Sequence, residues 1–336
     1  MKLRAGIIGL GTWYSGSFAE GLRAIKECDL VAMADMGMDD EALKALGRWT
    51  KAEYVSRFGV KLYHDPLDMI KKENLDMVCV CHPPLGNHEK YVKLAAEAGV
   101  DVYIEKPMTT TLEGAKQILE VAKQNKDVLI STLEPAHYDG AIREAYNRAM
   151  AGEVGEIQGV RALVRHNRAP PERDMITHKP TPDFGMASYV AGMLHWFFDA
   201  KPLRVYAEYG NPYITKGLIR YEGDKIGSMD RILLSTTSPL WEIEVVGDDG
   251  IIRTQQSIYE GYVWKAHATD PKKRTVTAFY RNQNNVILGA MQHWVKACLN
   301  RETPDVTVED GVKIIETCIG WYRASETGKA VNLPLI

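Results

Sequence analysis

A chain of 336 residues with 25% charged side chains and a formal net charge of −3 has the length for two domains and a sizeable core. The near-neutral balance provides no global field that would draw nucleic acid or an anionic lipid surface. Its apolar runs are of strand length, and none approaches a membrane span.

The residues from Met1 to Arg4 lead straight into the first predicted strand, leaving no room for a signal peptide, so a cytoplasmic location is expected. That strand ends on the β-branched pair Ile7-Ile8, which suits burial on both faces. Gly9 and Gly11 then permit a tight turn with the backbone close to a ligand, and a helix over about residues 15–25 would point its first amides at a pyrophosphate. Thr12, Trp13 and Tyr14 line that turn; the third small residue of a G-x-G-x-x-G fingerprint falls at Tyr14, so a plain tight turn competes with a dinucleotide site. The second strand, residues 30–34, ends in Asp35, where a carboxylate would accept hydrogen bonds from ribose hydroxyls and repel a 2′-phosphate. The cofactor this implies is NAD rather than NADP; the alternative role for Asp35 is a strand-end cap.

Further along, a charged helical stretch is expected over 39–58, a strand at 61–63, a helix near 67–72, a strand at 77–81 and an amphipathic helix ended by Gly99. A strand at 100–104, a helix over 112–124 and a strand at 128–132 complete the series. This alternation predicts a parallel, doubly wound α/β sheet over residues 1–132, with ligands at the carboxyl ends of its strands. From 133 to 336 the pattern becomes α+β. Strands are expected at 157–165, 204–209, 216–221, 225–235, 240–246, 251–256 and 274–280, forming a large, mostly antiparallel sheet, with turns at 222–224 and 247–250. Helices are expected at 140–151, 186–198, 286–299 and 308–325. The five cysteines, Cys28, Cys79, Cys81, Cys298 and Cys318, read as small core hydrophobes in a reducing compartment. They do not suggest a metal site.

Three predicted strand ends converge: the glycine turn, His82-Pro83 and Glu105-Lys106-Pro107. A lysine fixed there can hydrogen-bond a substrate oxygen and carry a proton as hydride is transferred; the competing reading is a solvated loop lysine. These pieces, with Asn87-His88 and Gly152-Glu-Val-Gly-Glu156 before the second sheet, together resemble the Gfo/Idh/MocA group of oxidoreductases (glucose-fructose oxidoreductase, inositol dehydrogenase and MocA). The resemblance implies a Rossmann domain, NAD, a carbohydrate or polyol substrate, dimers or tetramers formed through the C-terminal sheet, and catalysis by Lys106, with the peptide bond before Pro107 often cis.

The resemblance also has departures. Members carry a D-x-G-x-H-x-x-D helix, whereas here Asp183 opens a stretch in which His195 follows Gly192 by three residues and Asp199 follows His195 by four. His195 is either the proton carrier or a core histidine, and the Tyr189 phenol is an alternative donor. His137 and Glu134 follow the last Rossmann strand and are within reach of the crevice, while Arg168, in the basic and proline-rich loop 166–182, offers a cation to substrate or is simply solvated. Trp241, Tyr262 and Trp264 would stack on a sugar or pack the sheet. The leading function is hydride transfer between NAD(H) and a sugar or polyol carbon. The competitors are a redox elimination at the same site and a nucleotide-binding sensor without chemistry.

Overall fold

The computed structural model describes residues 2–35, 37–81, 88–166, 184–211, 214–233, 240–255, 260–267, 270–280 and 285–336. The chain divides into two units, Met1–Glu134 with Asn285–Ile315 and Pro135–Asn284 with Glu316–Ile336.

In the first unit β1 (Leu3–Ile8), α1 (Trp13–Arg23), β2 (Cys28–Ala34), α2 (Asp40–Ala45), α3 (Lys51–Phe58), β3 (Lys61–Tyr63), α4 (Pro66–Glu73), β4 (Met77–Val80), α5 (His88–Glu97), β5 (Asp101–Ile104), α6 (Leu112–Gln124) and β6 (Ile130–Thr132) follow one another. The strands pair in parallel in the order β3-β2-β1-β4-β5-β6. The connections leave β1 in opposite directions, to β2 on one side and across to β4 on the other, which opens a crevice at the carboxyl ends of these strands. Ile7, Ile8, Cys79 and Val80 are wholly buried between the helical layers.

The expected helical stretch over 39–58 consists of two helices. Asp39 caps α2, accepting from the Ala42 N–H at 2.8 Å, and Gly47, with φ +67°, turns the chain. A capping box between Thr50 and Glu53 then starts α3. The helix after the glycine turn begins at Trp13, ahead of the expected start.

The second unit contains α7 (Gly140–Met150), β7 (Ile157–His166), α8 (Phe184–Phe197), β8 (Pro202–Asn211), β9 (Ile214–Tyr221), β10 (Ile226–Leu233), β11 (Leu240–Gly247), β12 (Ile251–Gln255), β13 (Glu260–His267) and β14 (Asp270–Tyr280). After α9 (Val286–Asn300) and α10 (Val308–Thr327), β15 (Val331–Asn332) adds to its edge. Nine described strands pair in the order β14-β13-β12-β11-β7-β10-β9-β8-β15, all antiparallel except β7 with β10. The β13 strand is not among the runs expected from sequence. Its pairing with β12 and β14 comes from register across the sheet, not from a periodic apolar pattern of its own. The apolar helix α8 lies against β7 and β10.

Residues 285–315 join the first unit instead of continuing the second. A Cβ on Gly21 of α1 would lie 2.9 Å from Met291 Cγ of α9, and the Trp294 ring packs 5.2 Å from that of Tyr103. Arg301 also pairs with Asp101 at 2.5 Å. The sequence shows α9 as an apolar helix but not which sheet it covers. All five cysteines are buried and none is in a disulfide, and no described helix is long and apolar enough to cross a membrane.

Two sequence features far apart in the chain meet in the second unit. Asp248 Oδ1 accepts from the Glu156 N–H at 2.8 Å, and the Asp249 N–H donates to the Val154 carbonyl at 3.0 Å. A Cβ on Gly247, where the β11 register shifts, would lie 2.0 Å from that same carbonyl oxygen. Because backbone cannot move aside as a side-chain tip can, Gly247→Ala is expected to destabilise the fold by about 1–3 kcal/mol or more. Urea unfolding at native stability would show that the turn is not held in this way.

Candidate active site

The glycine turn is built as its sequence suggests. Gly9 has φ +95°, a conformation open to glycine, and its N–H donates to the Ala34 carbonyl at 2.8 Å, tying the turn to the end of β2. Thr12 stands at the N-cap of α1 without making a side-chain cap bond; its hydroxyl lies 3.2 Å from Ser15 Oγ. The first amides of α1 therefore receive no capping oxygen from Thr12, as an anion site requires. The close packing that a third fingerprint glycine would serve occurs two residues later, at Gly16, where a Cβ would come 2.9 Å from the Trp49 ring. Tyr14 instead packs against Trp13 and Phe18, and its ring centroid lies 5.9 Å from Lys106 Nζ. Trp13 is exposed at the head of α1.

Asp35 closes β2, its N–H donating to the Tyr63 carbonyl at 3.0 Å. Its carboxylate is only 5% exposed, yet Oδ2 accepts no hydrogen bond. Burial raises its pKa, against the pull of Lys51, 4.0 Å away, and of the Met38 and Gly37 amides. Two cations that sequence reasoning did not place stand here: Lys51, and Arg48, whose Nε donates to the Gly11 carbonyl at 3.4 Å. The Thr50 capping box is the local signal that would have put both at the start of α3.

At the end of β5, Glu105 and Lys106 are buried, Lys106 at 7% exposure, and the Lys106–Pro107 peptide is cis. The Glu105 N–H donates to the Val80 carbonyl at 3.0 Å, and Glu105 Oε1 lies 3.6 Å from His88 Nε2. His88 is held in turn by its Nδ1, 3.1 Å from the Met108 carbonyl oxygen. Gly9, Gly11, Thr12, Tyr14, Asp35, His88, Glu105 and Lys106 thus gather at the carboxyl ends of β1, β2, β4 and β5. His82, Pro83, Arg168 and Asp183 lie outside the described residues.

In the second unit, His195 sits between the Tyr221 hydroxyl, 3.1 Å from Nδ1, and Thr317 Oγ1, 2.9 Å from Nε2. The ring is half-buried, and both of its nitrogens have a partner within the unit. Tyr189, on the same helix, stacks on Trp241 at 5.8 Å. His137 stacks on Trp196 at 3.8 Å, and its carbonyl accepts from Arg143 Nε at 2.6 Å.

A buried carboxylate with an unused oxygen at one strand end, a glycine turn beside it and an amine at a third strand end make this unit a dinucleotide-binding Rossmann domain. Comparison with known proteins agrees. Residues 3–133 match the GFO_IDH_MocA family model, described as "Oxidoreductase family, NAD-binding Rossmann fold". The chain is 26% identical to a myo-inositol 2-dehydrogenase of Thermotoga maritima over 346 aligned positions, covering 98% of each. It is also 26% identical to a scyllo-inositol 2-dehydrogenase (NAD(+)) of Bacillus subtilis, covering 84% of this chain and 85% of that one. The crystal structure of a Lactobacillus casei scyllo-inositol dehydrogenase with bound NAD(H) and scyllo-inositol shares the fold, with a TM-score of 0.78 at 18% identity over 99% of each chain. Residues 3–133 therefore form an NAD-binding Rossmann domain of the Gfo/Idh/MocA oxidoreductase family, and the rest of the chain is similar in sequence and fold to the inositol dehydrogenases named above.

Because Asp35 has a raised pKa in the folded chain, it holds a proton that the unfolded chain has already released. Its contribution to stability is therefore full below the unfolded value of about 3.9 and is lost as pH rises through the folded value. Asp35→Asn does not titrate, so its melting temperature should exceed that of the native chain at about pH 8, the gap closing toward about pH 4. The same change should weaken NAD binding by about ten- to a hundredfold, the loss of a charged hydrogen-bond acceptor. Calorimetry showing unchanged NAD affinity would remove Asp35 from the ribose site.

Proposed function

We propose that this chain is an NAD-dependent dehydrogenase that interconverts a secondary alcohol of an inositol, sugar or related polyol and the corresponding ketone. The observation that carries this reading is the pairing, within one unit, of the unsatisfied Asp35 carboxylate with the buried Lys106 amine. Bound NAD+ supplies the electron sink, accepting a hydride from the carbinol carbon, and NADH returns one. The residues that would hold it fit: Asp35 Oδ2 has the capacity for ribose hydroxyls, and the first amides of α1 face the turn made by Gly9 and Gly11. Lys106 donates a hydrogen bond to the reacting oxygen and takes the hydroxyl proton as the carbonyl forms. Shielding from water strengthens that hydrogen bond, and the Tyr14 ring lies beside the amine.

The substrate class is supported by the names of the Thermotoga and Bacillus relatives, both inositol dehydrogenases. In the second unit Tyr189 and Trp241 stack, a phenol and a flat apolar face of the kind that carries a polyol, which keeps Tyr189 as the alternative proton donor. Association into dimers or tetramers is assigned to the outer face of the nine-stranded sheet, where Ile214, Leu218 and Ile226 are exposed. Five buried cysteines, none in a disulfide, suit a reducing, cytoplasmic setting.

Lys106→Ala should keep NAD affinity within a few-fold and lower turnover of the inositol or sugar substrate by about 10²–10⁴-fold. Stopped-flow measurement of NADH formation checks this, and turnover at the native rate would remove Lys106 from the mechanism.

A further inference from the structure

A second ionisable group lies at the same strand ends and has no part in the reading above. β5 and β6 pair in parallel with Ile104 opposite Thr132, and the ladder continues one step, the Leu133 N–H donating to the Ile104 carbonyl at 2.8 Å. Lys106 and Glu134 each stand two residues beyond that pair, so they leave neighbouring strands in step, about 5 Å apart along the hydrogen-bonding direction. Glu134 is 2% exposed, and its Oε2 has no hydrogen-bond partner. A buried carboxyl oxygen without a partner beside a buried amine is costly to keep unless it is used.

Resting on the dehydrogenase reading, we propose that Glu134 is the proton partner of Lys106, receiving from its amine the proton released by the substrate hydroxyl and returning it in the reverse reaction. In the oxidation the substrate O–H bond breaks and its proton bonds to the neutral Lys106 amine. The C–H electron pair leaves as hydride to the oxidised nicotinamide, the oxidant. An N–H bond of the Lys106 ammonium then breaks as its proton bonds to the Glu134 carboxylate. The amine is neutral again, and the proton stays on Glu134 until it passes to solvent. Burial drives the Glu134 carboxyl well above the usual carboxylate range, and Lys106 is the charge that draws it back. Among the described residues, the other ionisable groups at the ends of β1, β4 and β5 are Glu105, whose Oε1 lies 3.6 Å from His88 Nε2, the Cys81 thiol, pushed up by burial, and Tyr14, whose ring lies beside Lys106. Glu134 acts through Lys106 and is therefore a positioning residue.

The test reads the two groups directly. Protein labelled with ¹³C at lysine side chains and glutamate carboxyls is titrated by NMR with and without NAD+, the signals being assigned from Lys106→Met and Glu134→Gln. In the native chain Lys106 and Glu134 are expected to titrate together. Glu134→Gln should lower the Lys106 midpoint by about one pH unit or more, a tenfold change in its proton affinity, and Lys106→Met should raise that of Glu134 reciprocally. Glu134→Gln should also lower kcat by about 10- to 100-fold and move its pH profile to lower pH, with NAD affinity unchanged and partial rescue by Glu134→Asp. A Lys106 midpoint that Glu134→Gln leaves in place overturns the proposal. Should Glu134→Gln fail to fold, the Lys106→Met arm decides alone, an unmoved Glu134 overturning the proposal. Hydride transfer by a protein whose two groups titrate independently defeats this inference only. Coupled titration in a protein that oxidises no polyol defeats the dehydrogenase reading and the proton path with it.

Discussion

A buried carboxylate oxygen that accepts no hydrogen bond is the constraint on which the cofactor end of this molecule depends. Leaving such a group unsatisfied costs about 1–3 kcal/mol, and Asp35 is fixed in that condition by the end of β2 and by its own amide bond to Tyr63. Lys51 at 4.0 Å reduces the cost without supplying a hydrogen bond. Under the dehydrogenase proposal, ribose hydroxyls reaching Oδ2 would recover that free energy, so ligand binding and stability would draw on the same group. The glycine turn is secured to the same strand end by the Gly9 bond to Ala34.

The chemical end follows the same logic with the opposite charge. A parallel sheet delivers successive strand ends side by side, and Lys106 arrives among Glu105, Tyr14 and Glu134. None of these side chains is close to another in sequence except Glu105. The His88 ring, held by the Met108 carbonyl, lies 3.6 Å from Glu105 Oε1, while Lys106 and Glu134 leave neighbouring strands in step. In the second unit, aromatic stacking takes over: His137 on Trp196, Tyr146 on Trp196 at 4.2 Å, and Tyr189 on Trp241 organise the surfaces around α8.

Much of the Rossmann unit was legible from residues alone, because its signals are local. Apolar β-branched runs, Gly9 and Gly11, the acidic strand end at Asp35 and the Glu105-Lys106-Pro107 run each declare themselves within a few residues. The division of the helical stretch over 39–58 into two helices had local signals too: Gly47 and the Thr50–Glu53 capping box were there to be read. His195 was ambiguous for a physical reason. An apolar helix carrying a histidine does not show which partners the ring will meet, here Tyr221 and Thr317, which lie far from it along the chain.

The sequence by itself determined the two-part organisation, the parallel sheet, the glycine turn and the family of the Rossmann domain, since periodicity and turn chemistry are properties of neighbouring residues. Tertiary structure alone decided that residues 285–315 complete the first unit, that the turn after Gly247 docks on the Val154 carbonyl, and that Lys106 and Glu134 leave adjacent strands in register. Each of those outcomes depends on which surfaces meet across more than twenty residues of chain, and the pairing energy that selects them is spread over both partners and written in neither.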